Sequence, residues 1–505
     1  MDNYLLQIHN GQVIPRADIP QVPYDVFYTE LSAFVKNEGF IVQYFAYQEE
    51  NANRLLAVVR NSAGLFVIGT ETGRTFKSLT GAVSEKFHMF EREIAEQYGL
   101  KPDGHPWLKM VRYHKNYSGE EDVFGNNYSA EIPGNYPYFK VDGQAIHEVA
   151  VGPVHAGIIE PGHFRFQCAG EEVLHLEIQL GYQHRGIEKM MPTMPQKRFP
   201  IICETIAGDT TIGHNLCLCQ AMESLSGKNV DKGAKIVRSI ALELERICNH
   251  IGDLGALSGD VAFNPPAAYF GRLRGEFLNL LQVLSGNRFG RGLVRPGGVA
   301  HVMGDEQRQL IRAKLAETTP EIEHVCDLLF TAHTVLARFE HTGTVKHEMA
   351  KDLGLVGYAG RACNIGYDAR VSFPTEMYGE LPPNSNHVTQ GDVLSRATVR
   401  REEIMHSLKI INMLLDKPET TAAPVQMEDC ALKPDSFVVT INEGWRGEVS
   451  HCVLTDSSGK VQRYKIKDPS FHNWTGLAMS LRNQEISDFP LCNKSYNLSY
   501  CGFDL

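Results

Sequence analysis

The chain predicts an α+β fold: a small N-terminal α/β domain, a polar linker, and a large domain of bundled helices with antiparallel sheets. Three observations carry this. At 505 residues the chain exceeds one ordinary domain. Near the N-terminus a single helical stripe is followed by short alternating apolar runs. Later, long stripes at helical spacing give way to three alternating runs before the end.

Composition narrows the function. With 43% hydrophobic residues the chain can bury a large core. No apolar run approaches the length needed to span a bilayer. Met1-Asp2-Asn3-Tyr4 has neither a basic nor an apolar signal region, so no export signal is expected. The net charge is −11 and no basic tract is present, which argues against nucleic acid. Eleven cysteines, an odd number scattered along the chain, suggest reduced thiols in a cytoplasmic protein.

The first domain is expected over residues 1–115. Phe27, Leu31, Phe34 and Val35 recur at helical spacing, Gly39 breaks the helix, and Phe40 to Tyr47 reads as a strand. Leu55 to Arg60 and Leu65 to Gly69 flank Asn61-Ser62-Ala63-Gly64, a hairpin signal. Phe87, Phe90, Ile94 and Tyr98 predict a second helix ending near Gly99. The charges on that helix read as a solvated face or as a docking surface. A linker is expected over 116–145, where no period persists and Gly134-Asn135-Tyr136-Pro137 signals a turn.

The large domain is expected over 146–505. Phe164-Arg165-Phe166 and Val173 to Leu180 predict paired strands around Ala169-Gly170. Ile236, Val237, Ile240, Leu244, Ile247, Ile251 and Leu254 form one stripe that Lys235, Arg238, Glu243, Glu245 and Arg246 mostly avoid, as in a long amphipathic bundle helix. Tyr269 to Leu284, Gln309 to Phe339 and Ala397 to Leu415 add further helices. Phe437 to Ile441, Val449 to Leu454 and Val461 to Ile466 predict antiparallel strands. Cys217-Leu218-Cys219 on a helix points its thiols about 200° apart, so they cannot chelate one ion together. Gly297-Gly298 lacks the Lys-Ser/Thr of a phosphate loop.

Several blocks, in order, carry a resemblance: Gly152-Pro153-Val154-His155, Glu160-Pro161-Gly162-His163, His184-Arg185-Gly186-Ile187-Glu188-Lys189, Glu204 to His214, Leu244 to His250, Arg361 to Arg370, Arg446-Gly447-Glu448 and Tyr464 to Phe471. Together they resemble the large subunits of nickel–iron hydrogenases, above all the membrane-bound hydrogen-evolving group, and the D-type component of NADH-quinone oxidoreductase (respiratory complex I). Phe90 to Leu100 resembles the signature of the C-type component, which is fused ahead of the D-like domain in several of these proteins.

The resemblance implies site residues. The glutamate at the place of Glu188 relays protons in the hydrogenases. A carboxylate in a desolvated cleft would have a raised pKa suited to that. The plainer alternative pairs Glu188 with Arg185 or Lys189. His155 matches the first of two histidines in the D-type component, while the second, the quinone contact, falls near Ile159. Asp368 and Arg370 would flank the cleft as a structural pair or as part of a proton path. His214 completes the catalytic candidates.

The hydrogenase metal ligands fall on Ala207, Thr210, Ser499 and Gly502, with Cys501 out of register. None supplies the thiolates that a soft nickel–iron pair needs, so no metal is expected here. Cys501 could still join Cys492 or a thiol of the first motif. Tyr496 or Tyr500 could stand in for the tyrosine that holds the quinone in the D-type component.

The resemblance therefore implies an electron-transfer or coupling large subunit without its own nickel site. The alternatives are a quinone-reducing C/D-type subunit, a catalytically silent scaffold and, last, an active hydrogenase. This chain is expected to bind no cofactor except a possible quinone. Its expected partners are a small subunit carrying a 4Fe-4S cluster and resembling the B-type component of complex I, a ferredoxin-like subunit and membrane-arm subunits. The hetero-oligomer would sit peripherally on the inner face of the cell membrane.

Overall fold

The computed structural model describes residues 4–505 except 51, 120, 122, 125–132, 134–136, 384–387 and 422. The stretch Met1-Asp2-Asn3 and, apart from Pro137, the turn expected at Gly134-Asn135-Tyr136-Pro137 lie outside the described residues.

The N-terminal sheet has the order β1 (Leu6–Ile8), β6 (Gly64–Thr72), β5 (Ala52–Asn61), β4 (Phe40–Glu49), with β3 (Gln21–Val22) parallel to β6. Between β1 and β3 lies a short strand, β2 (Ile14–Pro15). Helix α1 (Tyr24–Lys36) buries Phe27, Leu31, Phe34 and Val35, the stripe that the spacing predicts. Gly39 follows because a Cβ there would stand 2.2 Å from the Phe34 ring. The Asn61 side chain accepts the Ala63 N–H at 2.8 Å and tightens the β5–β6 turn.

Helix α2 (His88–Tyr98) stops at Gly99, whose φ of +63° is left-handed. Its charges are neither a solvated face nor an outward docking surface. Glu91, Arg92, Glu93, Glu96 and Gln97 are all buried. Glu91 accepts from Leu79 N, Thr80 Oγ1 and the Ser78 hydroxyl. Glu96 accepts the N–H groups of Val111, Arg112 and Tyr113. Glu93 pairs with Arg112 and Lys465. The chain folds back over this helix, so its polar residues bind the rest of the molecule.

A three-stranded meander follows, in the order β9 (Glu172–Gln179), β8 (His163–Ala169), β7 (Ile146–Val151). Phe164 faces Ile178 and Phe166 faces Leu176, and the predicted turn passes through Gly170 at φ +61°.

The bundle comprises α3 (Thr211–Ser226), α4 (Lys232–Asp260), α5 (Asn264–Ser285), α6 (Asp305–Thr331) and α7 (Val393–Leu415). Asp231 caps α4 by accepting the Ala234 N–H at 2.9 Å. The apolar stripe of α4 is buried as predicted, but so is its charged face: Arg238, Glu243, Glu245 and Arg246 are at most 3% exposed. The helix is surrounded, so its charges are neutralised internally. The segment expected as one helix from Gln309 to Phe339 is broken. Ala332 takes extended ψ of 109° between α6 and a short helix, His333–Phe339.

The C-terminal sheet runs β12 (Val461–Lys467), β11 (Gly447–Thr455), β10 (Ser436–Gly444), β2, all antiparallel, with Phe437 opposite Ile14. Every residue of β10 and β11 is buried. Alternation explains this: Val439, Ile441 and Cys452 join a core with Val42, Phe45 and Val58 of the N-terminal sheet. Val438, Val453 and Tyr464 pack the other way, against Leu218 and Met222 of α3. Helices α8 (Ser470–Ser480) and α9 (Tyr500–Asp504) close the chain. Among the described residues no helix is long and apolar enough to cross a membrane.

Candidate functional site

Two segments meet at the positions that the resemblance assigns to metal ligands. Residues 207–210 lead into α3, and residues 499–502 form the cap and first turn of α9. Arg185 clamps them together: its guanidinium donates to the carbonyls of Thr205 and Ile206 on one side and Cys501 on the other. From the sheet hairpin, Arg446 reaches Asp209 at 2.6 and 2.7 Å, Thr210 Oγ1 at 3.3 Å and the Asn497 carbonyl at 2.7 Å.

Ala207, Thr210, Ser499 and Gly502 are all buried. Ser499 Oγ caps α9 by accepting the Gly502 N–H at 2.9 Å. A Cβ built on Gly502 would meet Asp468 Oδ2 at 2.7 Å and Ser499 Oγ at 2.8 Å. Space for a larger side chain at 502 is taken by a carboxylate. A methyl, two hydroxyls and a hydrogen do not fit a nickel–iron pair, which is held by bridging thiolates. Among the described residues no group of three or more His, Cys, Asp or Glu is placed to share an ion.

Behind these positions runs a buried polar chain. His214 Nε2 lies 2.9 Å from Asp468 Oδ2, and its Nδ1 lies 3.2 Å from His451 Nε2. His451 Nδ1 meets Tyr464 Oη at 2.8 Å. Burial alone would raise the Asp468 carboxyl, but His214 and Arg446 outweigh it and hold it below the usual range. Burial and the neighbouring His214 push His451 well down, so it stays neutral.

Glu188 lies within a set of four donors. It accepts from Lys465 Nζ at 2.8 Å, Arg463 at 2.9 Å, the Ile466 N–H at 2.9 Å and Gln97 at 3.2 Å. Burial would raise its carboxyl, but Lys465, Arg463 and Arg112 outweigh burial and hold it well below the ordinary range. The expected raised pKa is thus overturned. The partners are also not Arg185 or Lys189 but cations on β12.

His155 donates from Nε2 to the Gly162 carbonyl at 2.8 Å and pins a loop whose Val154, Ile158 and Ile159 are 77%, 88% and 51% exposed. Asp368 chelates Arg370 at 2.7 and 3.0 Å, and Arg370 continues to Glu243 at 3.2 Å. Both lie in a knot of four carboxylates and three guanidiniums: Glu243, Glu403, Glu443 and Asp368 with Arg246, Arg361 and Arg370. With one carboxylate in excess, burial and Asp368 raise Glu443 to about 7. The structure thus brings His214 to the ligand positions, while Asp368 and Arg370 tie α4, α7 and the sheet together.

All eleven cysteines are free. Cys501 does not join Cys492; its Sγ lies 3.5 Å from Ser499 Oγ, its N–H donates to Glu160 at 3.4 Å, and burial lifts its thiol to about 12. Tyr496 is buried against Arg396 and Tyr500 against Trp474. Beside Asp209 opens a polar cleft of about 510 Å³ between α4 and α5, lined by Asn249, Asp253, Arg274, Lys494 and Asn497.

Sequence reasoning missed Asp468, Arg463 and Lys465 as site residues. A signal was present: Arg463, Lys465 and Lys467 alternate on one face of a strand. Three cations on a buried strand demand carboxylate partners, here Glu188, Glu93 and Glu448.

The mixed fold, with two facing sheets against a helix bundle and a site where the entry to α3 meets the last turn, is the architecture that the resemblance implies. Comparison with known proteins agrees. Residues 260–436 match the family described as respiratory-chain NADH dehydrogenase, 49 kDa subunit. Hydrogenase-4 component G of Escherichia coli is 27% identical, over 92% of this chain and 80% of that protein. The C/D-type NADH-quinone oxidoreductase subunit of Phocaeicola vulgatus is 26% identical, over 85% and 87%. A chain of the membrane-bound sulfane sulfur reductase, an archaeal respiratory membrane complex, shares the fold with a TM-score of 0.67 at 24% identity, over 73% of this chain and all of that one. The chain is a relative of the hydrogenase large subunits and of the NADH-quinone oxidoreductase C/D subunits.

Proposed function

We propose that the chain is the large subunit of a membrane-associated oxidoreductase complex, and that it holds no nickel centre of its own. The reading rests on one observation above the others. The Asp468 carboxylate, tied to His214, stands where a side chain at Gly502 would have to go. Around it, Ala207, Thr210 and Ser499 offer no thiolate.

In this reading redox chemistry belongs to a 4Fe-4S small subunit, with a ferredoxin-like subunit supplying electrons and membrane-arm subunits using the energy. The chain sits peripherally on the cytoplasmic face through those partners. Its contribution is to keep the cluster-facing segments 205–210 and 499–502 in fixed register through Arg185 and Arg446. The polar cleft beside Asp209 is the place for an acceptor or for a transmitted shift. Quinone reduction gains little support: Ile159, in the place of the quinone-binding histidine, has no donor.

Elemental analysis of the purified complex tests this. Iron from the partner subunits with nickel far below one atom per large subunit is expected. One nickel per chain would overturn the proposal.

A further inference from the structure

Away from the ligand positions, a half-open cavity of about 100 Å³ lies between α2, the 107–113 segment, β9 and α8. Its size is of the order of an apolar cavity that holds a single benzene ring. Leu176, Leu180, Trp474, Ala478, Met479 and Phe503 give it an apolar wall. On the opposite side His88 stacks on Trp107, with ring planes 11° apart and centroids 5.7 Å apart.

Its charged groups are few and of one sign. Arg92 and Arg482 line it, and among the described residues no acidic side chain does. Arg92 is anchored to the carbonyls of Lys109 and Met110, so its charge is fixed in place. Arg482 is exposed at the rim. Gln179 is 2% exposed; its Oε1 accepts from Tyr138, while its Nε2 has no hydrogen-bond partner among the described residues. His175 Nε2 is likewise buried without a partner. A buried donor facing an apolar cavity is held at a free-energy cost unless an acceptor arrives. Burial holds both His88 and His175 down, so the positive field comes from the arginines.

We propose that this cavity binds a small aromatic carboxylate, with its ring against Trp474 and Met479, an oxygen on the Gln179 amide and its charge balanced by Arg92 and Arg482. The methionines at 89, 110 and 479 let the wall adapt to ring shape. The site is separate from the ligand positions, but Phe503 joins the two. Its side chain lines the cavity, and its carbonyl, on α9, accepts from Arg112 at 2.7 Å.

The test is calorimetric titration of the whole chain with benzoate, with benzyl alcohol as the neutral comparison. Saturable one-to-one binding of the carboxylate is expected, with the alcohol at least about tenfold weaker. Gln179→Leu and the rim variant Arg482→Ala should each weaken benzoate by about tenfold. Arg482→Ala, changed at an exposed position, should keep the wild-type melting temperature and so separates lost binding from lost folding. Absence of saturable binding, equal affinity for the alcohol, or affinity unchanged in both variants would overturn the assignment.

Discussion

Glu188 is a buried carboxylate whose hydrogen bonds all come from within the molecule. Four donors surround it, and two of them are cations from neighbouring positions of one strand face. Removing it strands Lys465 and Arg463 in the interior with Glu93 as the remaining anion. Glu188→Ala should therefore destabilise the fold by about 3–5 kcal/mol, read as a shifted urea midpoint at pH 7. Because the folded carboxyl sits below its unfolded value, its stabilising contribution is present above about pH 4.3 and fades as acid drives the pH down through the folded pKa. The gap between Glu188→Ala and wild type should accordingly narrow below pH 4. A gap that stays constant down to pH 2 would mean that the ion pairs do not carry the effect.

Elements borrow their ends from one another. Helix α3 starts at Thr211 without a cap from Thr210. Instead Glu245, from the middle of α4, accepts the N–H groups of Ile212 at 2.7 Å and Gly213 at 3.1 Å. An anion suits a helix N-terminus, but burial raises this carboxyl to about 8. A raised folded pKa stabilises fully below about pH 4.3 and is lost as pH rises through 8. Between pH 5 and 7 the wild-type protein should lose up to about 1.4 kcal/mol per pH unit from this group. Glu245→Gln, which cannot ionise, should show a flatter stability profile from pH 5 to 9. Parallel profiles would rule out the proton on Glu245.

At this scale the sequence was legible where periodicity and turn chemistry act locally. The stripe of α1, the Asn61–Gly64 hairpin, Gly99 and the three C-terminal strands all followed from spacing. The charged faces of α2 and α4 were misjudged, because amphipathic spacing shows which residues avoid the apolar stripe but not what covers them. Their partners, Arg112, Lys465 and Arg370, come from 16 to several hundred residues away. The ligand positions were legible because they are defined by order along the chain. The Asp468–His214 contact was not, because it depends on how the sheet meets α3.

Over the whole molecule, the sequence boundary near residue 115 does not correspond to a gap in the core. Ile14 of β2 extends the C-terminal sheet, Gln43 donates to Ser450, and Arg60 pairs with Glu448. The N-terminal and C-terminal sheets share one apolar layer. Heat should therefore unfold both regions together, giving a single calorimetric transition with matching van't Hoff enthalpy. Two resolved transitions, one lost on deleting residues 1–115, would show that the regions fold independently.

The pairing of Ile14 with Phe437 has a consequence for biosynthesis. The strand that completes the last sheet leaves the ribosome first, more than four hundred residues before its neighbour is made. At roughly 5–20 residues per second that interval lasts some tens of seconds. During that time the apolar side of the N-terminal half is uncovered, so a nascent-chain chaperone has a defined surface to shield until translation ends.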